Sequence, residues 1–264
     1  MTAAKSISFD RAADVYEATR GFPPGIGEQV AEAALEFIPP GAFALEIGVG
    51  TGRIARPLAD RGVRLVGVDL SRKMMAELRR RATEAMPLLV EADAVRLPLA
   101  SAAFDAVLSV HVFHLIPDWQ AALAELRRVL RPGGVYLTGY DWRPPDSPGA
   151  RLFARWRNIV SAHGFPGDVP GARDFDEIKQ HLLDSGARLE ERFVGEWAVT
   201  RTLAQMLETI EHRTWSSTWG VPDDFFPRCL AELREWAIAE FGPPETAFTV
   251  THRFCWQAFR LTPN

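Results

Sequence analysis

Residues 44–70 of the chain read ALEIGVGTGRIARPLADRGVRLVGVDL. Two apolar runs in this stretch, Ala44–Val49 and Leu65–Leu70, are each short enough to form a buried strand. A glycine-rich turn and an amphipathic segment separate the runs, and the acidic Asp69 closes the second one. This order predicts a βαβ nucleotide-binding unit. Asp69 would then accept hydrogen bonds from both hydroxyls of an adenosine ribose.

The glycine-rich turn reads EIGVGTG at residues 46–52 and narrows the choice of nucleotide. Glycine at alternate positions allows positive φ and a close approach of the backbone to a ligand. A dinucleotide-binding fold uses G-x-G-x-x-G, and Arg53 stands where that pattern needs its third glycine. Glu46 would repel a phosphate but suits an ammonium group. The turn therefore favours S-adenosylmethionine (SAM), which carries a ribose, an ammonium group and a sulfonium but no phosphate.

Further motifs follow in order along the chain. The stretch LEIGVGTGRIA at residues 45–55 resembles motif I of the class I SAM-dependent methyltransferases. DAVRLP at residues 93–98 resembles the family's loop in which an acidic side chain faces the adenine amino group. LRPGG at residues 130–134 is predicted to form a turn ahead of the fifth strand and resembles another family hallmark. The resemblance covers residues 43–141 and implies SAM as the cofactor.

The N-terminal segment carries a pattern of its own. Phe9 and Asp10, followed by Tyr16 and Arg20, resemble the F-D-x-x-A-x-x-Y-x-x-x-R pattern of the ubiquinone/menaquinone-biosynthesis type (methyltransferase type 11). The resemblance implies that Tyr16 and Arg20 fold over the methionine end of SAM, with Arg20 pairing with its carboxylate. The alternative is a helix near residues 9–20 that only packs on the domain surface.

These patterns predict which residues form the cofactor site. Its residues are Tyr16, Arg20, Glu46, Gly48, Gly50, Gly52, Asp69, Leu70, Met74, Asp93, Ala94 and His111. His111 and His114 follow the fourth predicted strand, but no third ligand follows them, so we expect no metal. His114 is either a packing residue or a base for an acidic acceptor proton. Methyl transfer needs no dedicated base, so we assign no catalytic residue.

The resemblance implies a doubly wound, Rossmann-like α/β sheet of seven strands in the order 3-2-1-4-5-7-6, with strand 7 antiparallel. The strands after the second are expected at 87–93, 104–110, 135–140, 188–199 and 246–261. Helices are expected at 72–85, after the N-cap Ser71, and around 152–162, 174–185, 203–213 and 225–241. We interpret residues 1–264 as one methyltransferase domain with lid elements at approximately 1–30, 143–173 and 202–242.

The predicted lid is rich in aromatic residues. Seven of the eight tryptophans lie at or beyond Trp142. Aromatic side chains could enclose a planar or apolar small molecule, and Trp215, Trp219 and Phe225 are the best candidates for pocket walls. The alternative is that they form the core that a helical lid needs.

Composition excludes several classes of partner. The formal net charge is −4 and the pI is about 5.9, so nothing favours nucleic acid or an anionic membrane. Cys229 and Cys255 show no ligand spacing, which suits a reducing cytosol. No apolar run approaches the roughly 18 residues that cross a bilayer, and the N-terminus has no secretory signal. We expect a cytoplasmic enzyme, and its oligomeric state cannot be read from the sequence.

The sequence thus predicts a SAM-dependent methyltransferase acting on a small, apolar or aromatic acceptor. Which atom of the acceptor is methylated does not follow from fold or motif. Two alternatives stay open: an NAD-binding oxidoreductase, which would share the sheet and Asp69, and a non-catalytic SAM-binding module.

Overall fold

A computed structural model describes residues 6–10, 13, 16, 20–81, 85–165, 170–172 and 175–261. Most of the helix predicted near residues 9–20 lies outside the described residues, as does the end of the helix predicted after Ser71. The strands are β1 (Phe43–Ile47), β2 (Arg64–Asp69), β3 (Leu88–Glu91), β4 (Phe104–Val110), β5 (Leu130–Trp142), β6 (Arg188–Thr202) and β7 (Ala247–Arg260). The helices are α1 (Ile26–Leu35), α2 (Ala55–Ala59), α3 (Arg72–Arg81), α4 (Trp119–Val129), α5 (Pro148–Ala162), α6 (Phe175–Asp184), α7 (Leu203–Glu211) and α8 (Phe226–Phe241).

The seven strands form one sheet in the order β3-β2-β1-β4-β5-β7-β6, with β7 antiparallel, as predicted. In the parallel part, Leu45 of β1 lies between Val66 of β2 and Val107 of β4. These side chains are buried because helices cover both faces of a parallel sheet. The ends of β1, β2 and β4 therefore meet at one edge.

Several strand bounds differ from the prediction. β1 ends at Ile47 because Gly48 adopts a φ of 75°, which leaves the β region. β3 covers only Leu88–Glu91, so Asp93 lies in the following loop. Helix α1 was not predicted; its Val30 carbonyl accepts a hydrogen bond of 2.8 Å from the Trp256 indole.

The fifth strand is also longer than the predicted 135–140. Helix α4 ends at Val129, and β5 begins at once with Leu130. The LRPGG segment is therefore part of the strand and not a separate turn. Its extra residues form a bulge, because the register shifts from Phe104 opposite Leu130 to Ala106 opposite Val135.

The chain divides into two compact units. The first unit comprises residues 1–140, 170–195 and 254–264, and the second comprises 141–169 and 196–253. Buried side chains of the parallel strands and of α4, such as Val107 and Leu126, contribute to the core of the first unit.

The second unit contains most of the two predicted lid insertions. Helices α5, α7 and α8 share an apolar core that includes Trp156, Met206 and Leu230. Thr202 begins α7 with a capping box, in which its hydroxyl accepts the Gln205 N–H at 3.2 Å and the Gln205 side chain accepts the Thr202 N–H at 2.9 Å. The helices predicted here are present, and their role as a lid remains a prediction.

Candidate functional site

The glycine loop after β1 requires glycine for its shape. Gly48, Gly50 and Gly52 have φ values of 75°, 52° and 84°, a region that other L-residues rarely adopt. A Cβ on Gly48 would lie 2.1 Å from Cγ2 of Val112, and one on Gly52 would lie 2.3 Å from Cδ1 of Leu78. A Cβ on Gly50 would meet nothing nearer than Cε of Met74 at 3.3 Å. Packing against side chains therefore explains the first and third glycines, whereas the nearest neighbour of a Cβ on Gly50 is the flexible end of Met74.

Asp69 links the end of β2 to this loop. One carboxylate oxygen accepts the Gly50 N–H and the other accepts the Ser71 N–H, both at 2.8 Å. Burial raises the pKa of Asp69, and these hydrogen bonds oppose the rise. A carboxylate offers about four lone-pair sites. Each oxygen of Asp69 can therefore still accept a hydroxyl of a ligand.

Asp93 lies in the loop after β3 and anchors the N-terminal segment. Its Oδ1 accepts hydrogen bonds from the Ser6 hydroxyl at 3.0 Å and from the Val95 N–H at 3.2 Å. The Ile7 N–H donates to the Leu115 carbonyl at 3.1 Å. Residues 6–7 are thereby fixed beside the ends of β3 and β4.

A cleft opens at this edge of the first unit, and its walls include every predicted site residue except Glu46 and Gly52. Its lining is Ser6, Ile7, Phe9, Tyr16, Arg20, Ile47, Gly48, Gly50, Val68, Asp69, Leu70, Met74, Ala92, Asp93, Ala94, Val110, His111, Val112, Leu115 and Ile116. Sequence reasoning missed most of the apolar members. They carry no chemical signature, and only their positions at the ends of strands could have indicated them.

Tyr16 and Arg20 line the cleft together. The Arg20 guanidinium lies 5.5 Å from the centre of the Tyr16 ring and 5.8 Å from that of Phe9, which is within cation–π range. This position agrees with a role over one end of a ligand. The pairing of Arg20 with a ligand carboxylate remains a prediction.

Glu46 and Gly52 lie outside the cleft lining. Glu46 is 2% exposed, and its Oε2 has no hydrogen-bond partner among the described residues. Burial raises the pKa of Glu46 well above its ordinary value, and the nearby Asp69 raises it further. Gly52 faces Leu78 and Arg56. Its part in the site is therefore the shape of the loop.

The two histidines after β4 differ in environment. His111 lines the cleft and has a φ of 56°, a rare conformation for a residue with a side chain. His114 is absent from the lining, and burial, with smaller contributions from the neighbouring His111 and Arg20, lowers its pKa to about 3. An imidazole with this pKa is a weak base near neutral pH, so the structure favours the packing role for His114. No group of acidic, His or Cys side chains in the described ranges could hold a metal ion.

The three predicted pocket walls belong to the second unit. Trp215 packs edge-on against Phe153 at 4.8 Å between ring centres, and the Trp219 indole donates to the Arg213 carbonyl at 2.7 Å. Phe225 packs against Phe165 at 4.9 Å. All three therefore contribute to packing within this unit, and their role as acceptor walls remains a prediction.

Comparison with known proteins decides the family. A family model described as a methyltransferase domain matches residues 45–138. An uncharacterised methyltransferase of Mycobacterium bovis is 35% identical over 217 residues, which cover 81% of this chain and 79% of the relative. The chain belongs to the SAM-dependent methyltransferase family. SAM is the cofactor of this methyltransferase family.

Two further proteins are similar to this methyltransferase over part of their own length. Malonyl-[acyl-carrier protein] O-methyltransferase of Serratia marcescens is 37% identical over 134 residues, and this chain spans about half of that relative's length, 51%. The structure of phosphoethanolamine N-methyltransferase 2 of Haemonchus contortus, with phosphomonomethylethanolamine and S-adenosylhomocysteine, matches with a TM-score of 0.54 at 22% identity. That match covers 97% of this chain and 58% of the other and shows a shared fold. No helix within the described ranges of the methyltransferase is long and apolar enough to cross a membrane.

Proposed function

We propose that this methyltransferase binds SAM in the cleft of its first unit and transfers the methyl group to a small-molecule acceptor. The observation that carries the proposal is the convergence of Gly50, Asp69 and Asp93 on one cleft at the ends of three neighbouring strands. Ligands of open α/β sheets bind at this carboxyl edge.

The residues present fit SAM. Asp69 has acceptor capacity for a ribose, and Gly50 lines the cleft without a Cβ, which allows a ligand to approach the loop backbone. The buried Oε2 of Glu46, two residues before Gly48, has no hydrogen-bond partner among the described residues. It is suited to accept a hydrogen bond when a cationic group or an ordered water enters.

An NAD-binding oxidoreductase fits the loop less well. The Arg53 guanidinium lies 3.8 Å from the centre of the Phe22 ring, so a bulky stacked side chain occupies the position of the glycine that brings a dinucleotide-binding helix close to its strand.

The residues of the cleft act by positioning. SAM supplies a methyl group that its sulfonium already activates. Asp69 and Asp93 orient the adenosine, Tyr16 and Arg20 cover the amino-acid end, and the apolar lining excludes water. Orientation of this kind contributes about 7–11 kcal/mol to the lowering of a barrier. We assign no proton transfer to His114, because it lies outside the cleft lining and burial lowers its pKa.

A screen for methyl transfer tests the proposal. The full chain is incubated with SAM labelled in its methyl group and with phenols, quinones, amines and carboxylic acids, and the products are read by mass spectrometry. We expect transfer to one class and none in the Asp69→Ala variant. A chain that binds SAM but transfers to no class would instead be a SAM-binding module.

A further inference from the structure

A second cavity lies in the first unit, and it shares no lining residue with the cleft. Its walls come from the turn before α1, the first turn of α1, the end of the glycine loop and helix α2 with the turn that follows it. Its volume is about 240 Å³. The first unit can therefore hold a ligand here that is distinct from the occupant of the cleft.

Three arginines line this cavity, and two of them are held in place by contacts that the structure shows. The guanidinium of Arg61 forms an ion pair with Glu32 and donates to the Pro57 carbonyl, both at 3.1 Å. The guanidinium of Arg53 lies 3.8 Å from the centre of the Phe22 ring, which covers one of its faces. Stacking of this kind fixes the plane in which Arg53 donates hydrogen bonds.

The third arginine, Arg56 of α2, has no counter-charge within the described part of the chain. Its Nε is buried and has no hydrogen-bond partner there, and no carboxylate of the described ranges forms an ion pair with its guanidinium. Its stem packs against the glycine loop, because a Cβ on Gly52 would lie 3.1 Å from Cγ of Arg56. A half-buried guanidinium is costly until an acceptor meets its N–H groups.

The other charges of the cavity leave room for an anion. Glu28 and Asp60 also line it, but both are exposed, and exposed charges are screened by salt more strongly than partly buried ones. Helix α1 begins at Ile26 without a side-chain cap. The N–H groups of its first turn therefore add partial positive charge to this wall.

We propose that Arg53, Arg56 and the first turn of α1 form a binding site for a small oxyanion, either a phosphate or a carboxylate group. An arginine guanidinium matches both groups with two parallel hydrogen bonds. The volume of about 240 Å³ is several times the roughly 30 Å³ that one water occupies, so a small molecule bearing the group fits. The site does not depend on the proposed function, because neither arginine lines the cleft.

Nuclear magnetic resonance of the arginine Nε–H groups tests the site in the full chain. The Arg56→Lys variant assigns the Arg56 signal, because it removes this N–H and keeps the charge. Inorganic phosphate and malonate are titrated separately at constant ionic strength, with and without S-adenosylhomocysteine. We expect a saturable shift of the Arg56 signal that S-adenosylhomocysteine does not abolish, and the anion that saturates at lower concentration identifies the group. A shift that does not saturate with either anion would overturn the proposal, as would one that S-adenosylhomocysteine abolishes.

Two aspartate substitutions separate this cavity from general charge effects. Gly27 and Gly149 are the second residues of α1 and α5, and an added Cβ would meet nothing nearer than Cδ2 of Phe22 at 3.7 Å and Sδ of Met206 at 3.8 Å, respectively. Both variants should fold, because a carboxylate in the first turn stabilises a helix. Gly27→Asp places its charge in the cavity wall and should weaken anion binding at least about tenfold. Gly149→Asp should leave it unchanged, and equal affinity in the two variants would contradict the assignment.

Discussion

Replacing Gly50 with alanine separates backbone strain from loss of space for the cofactor. Gly50 has a φ of 52°, and the nearest atom to an added Cβ is Cε of the flexible Met74, at 3.3 Å. The alanine therefore fits once the flexible Met74 side chain shifts by a few tenths of an ångström, and it lies at the wall of the cleft. Gly62→Ala is the matched control, because Gly62 has a φ of 83°, has nothing within 4 Å of an added Cβ and lies outside the cleft lining.

The two substitutions should cost similar stability and differ in binding. A left-handed conformation costs an alanine about 1–2 kcal/mol, so both variants should melt a few degrees lower. A methyl group forced into occupied space costs a further 1–3 kcal/mol or so, which corresponds to about 5- to 150-fold weaker binding. Calorimetry with S-adenosylhomocysteine and thermal unfolding measure the two effects. Equal affinity in both variants would refute the placement of the cofactor against Gly50.

Three other changes test particular groups. Asp69→Asn should lower SAM affinity at least about tenfold. The amide nitrogen of asparagine cannot accept the hydrogen bonds that the carboxylate oxygen accepts from backbone N–H groups and from a ligand hydroxyl. Unchanged affinity by calorimetry would place the ribose elsewhere. Glu46→Gln should stabilise the ligand-free chain more at pH 8 than at pH 5. The pKa of Glu46 is higher in the folded chain than in the unfolded one, so Glu46 contributes less to the free energy of unfolding as the pH rises above its unfolded pKa. A difference in melting temperature that does not depend on pH would contradict this. His114→Gln should reduce the loss of stability on acidification from pH 6.5 towards 3, because only the unfolded histidine binds a proton in that range. If the variant lost as much stability as the wild-type chain over this pH range, the result would argue against a buried neutral imidazole.

The loop after β1 and the acidic end of β2 could be predicted from sequence because they depend on local chemistry: glycines with positive φ and a carboxylate at a strand end indicated Gly48, Gly50 and Asp69. The order of the seven strands and the place of Asp93 came instead from the resemblance to the methyltransferase family. The bulge in β5 was missed because LRPGG reads as a turn. Only pairing with β4 shows that Leu130 already belongs to the strand.

The remaining features depend on long-range packing. Ile7 and Leu115 both line the cleft, and a backbone hydrogen bond joins them although they are distant in sequence. Their side chains are apolar, so the sequence gives no sign of this contact. Glu46 reads in sequence as a charged ligand group, whereas burial favours its neutral form.

Calorimetry on the wild-type chain tests the central claim, that the cleft beside Gly50 and Asp69 binds SAM. The full chain is titrated separately with SAM, S-adenosylhomocysteine and NADH. We predict saturable binding of SAM and S-adenosylhomocysteine at one site per chain, and far weaker binding of NADH. Saturable binding of NADH with no binding of SAM would contradict the account.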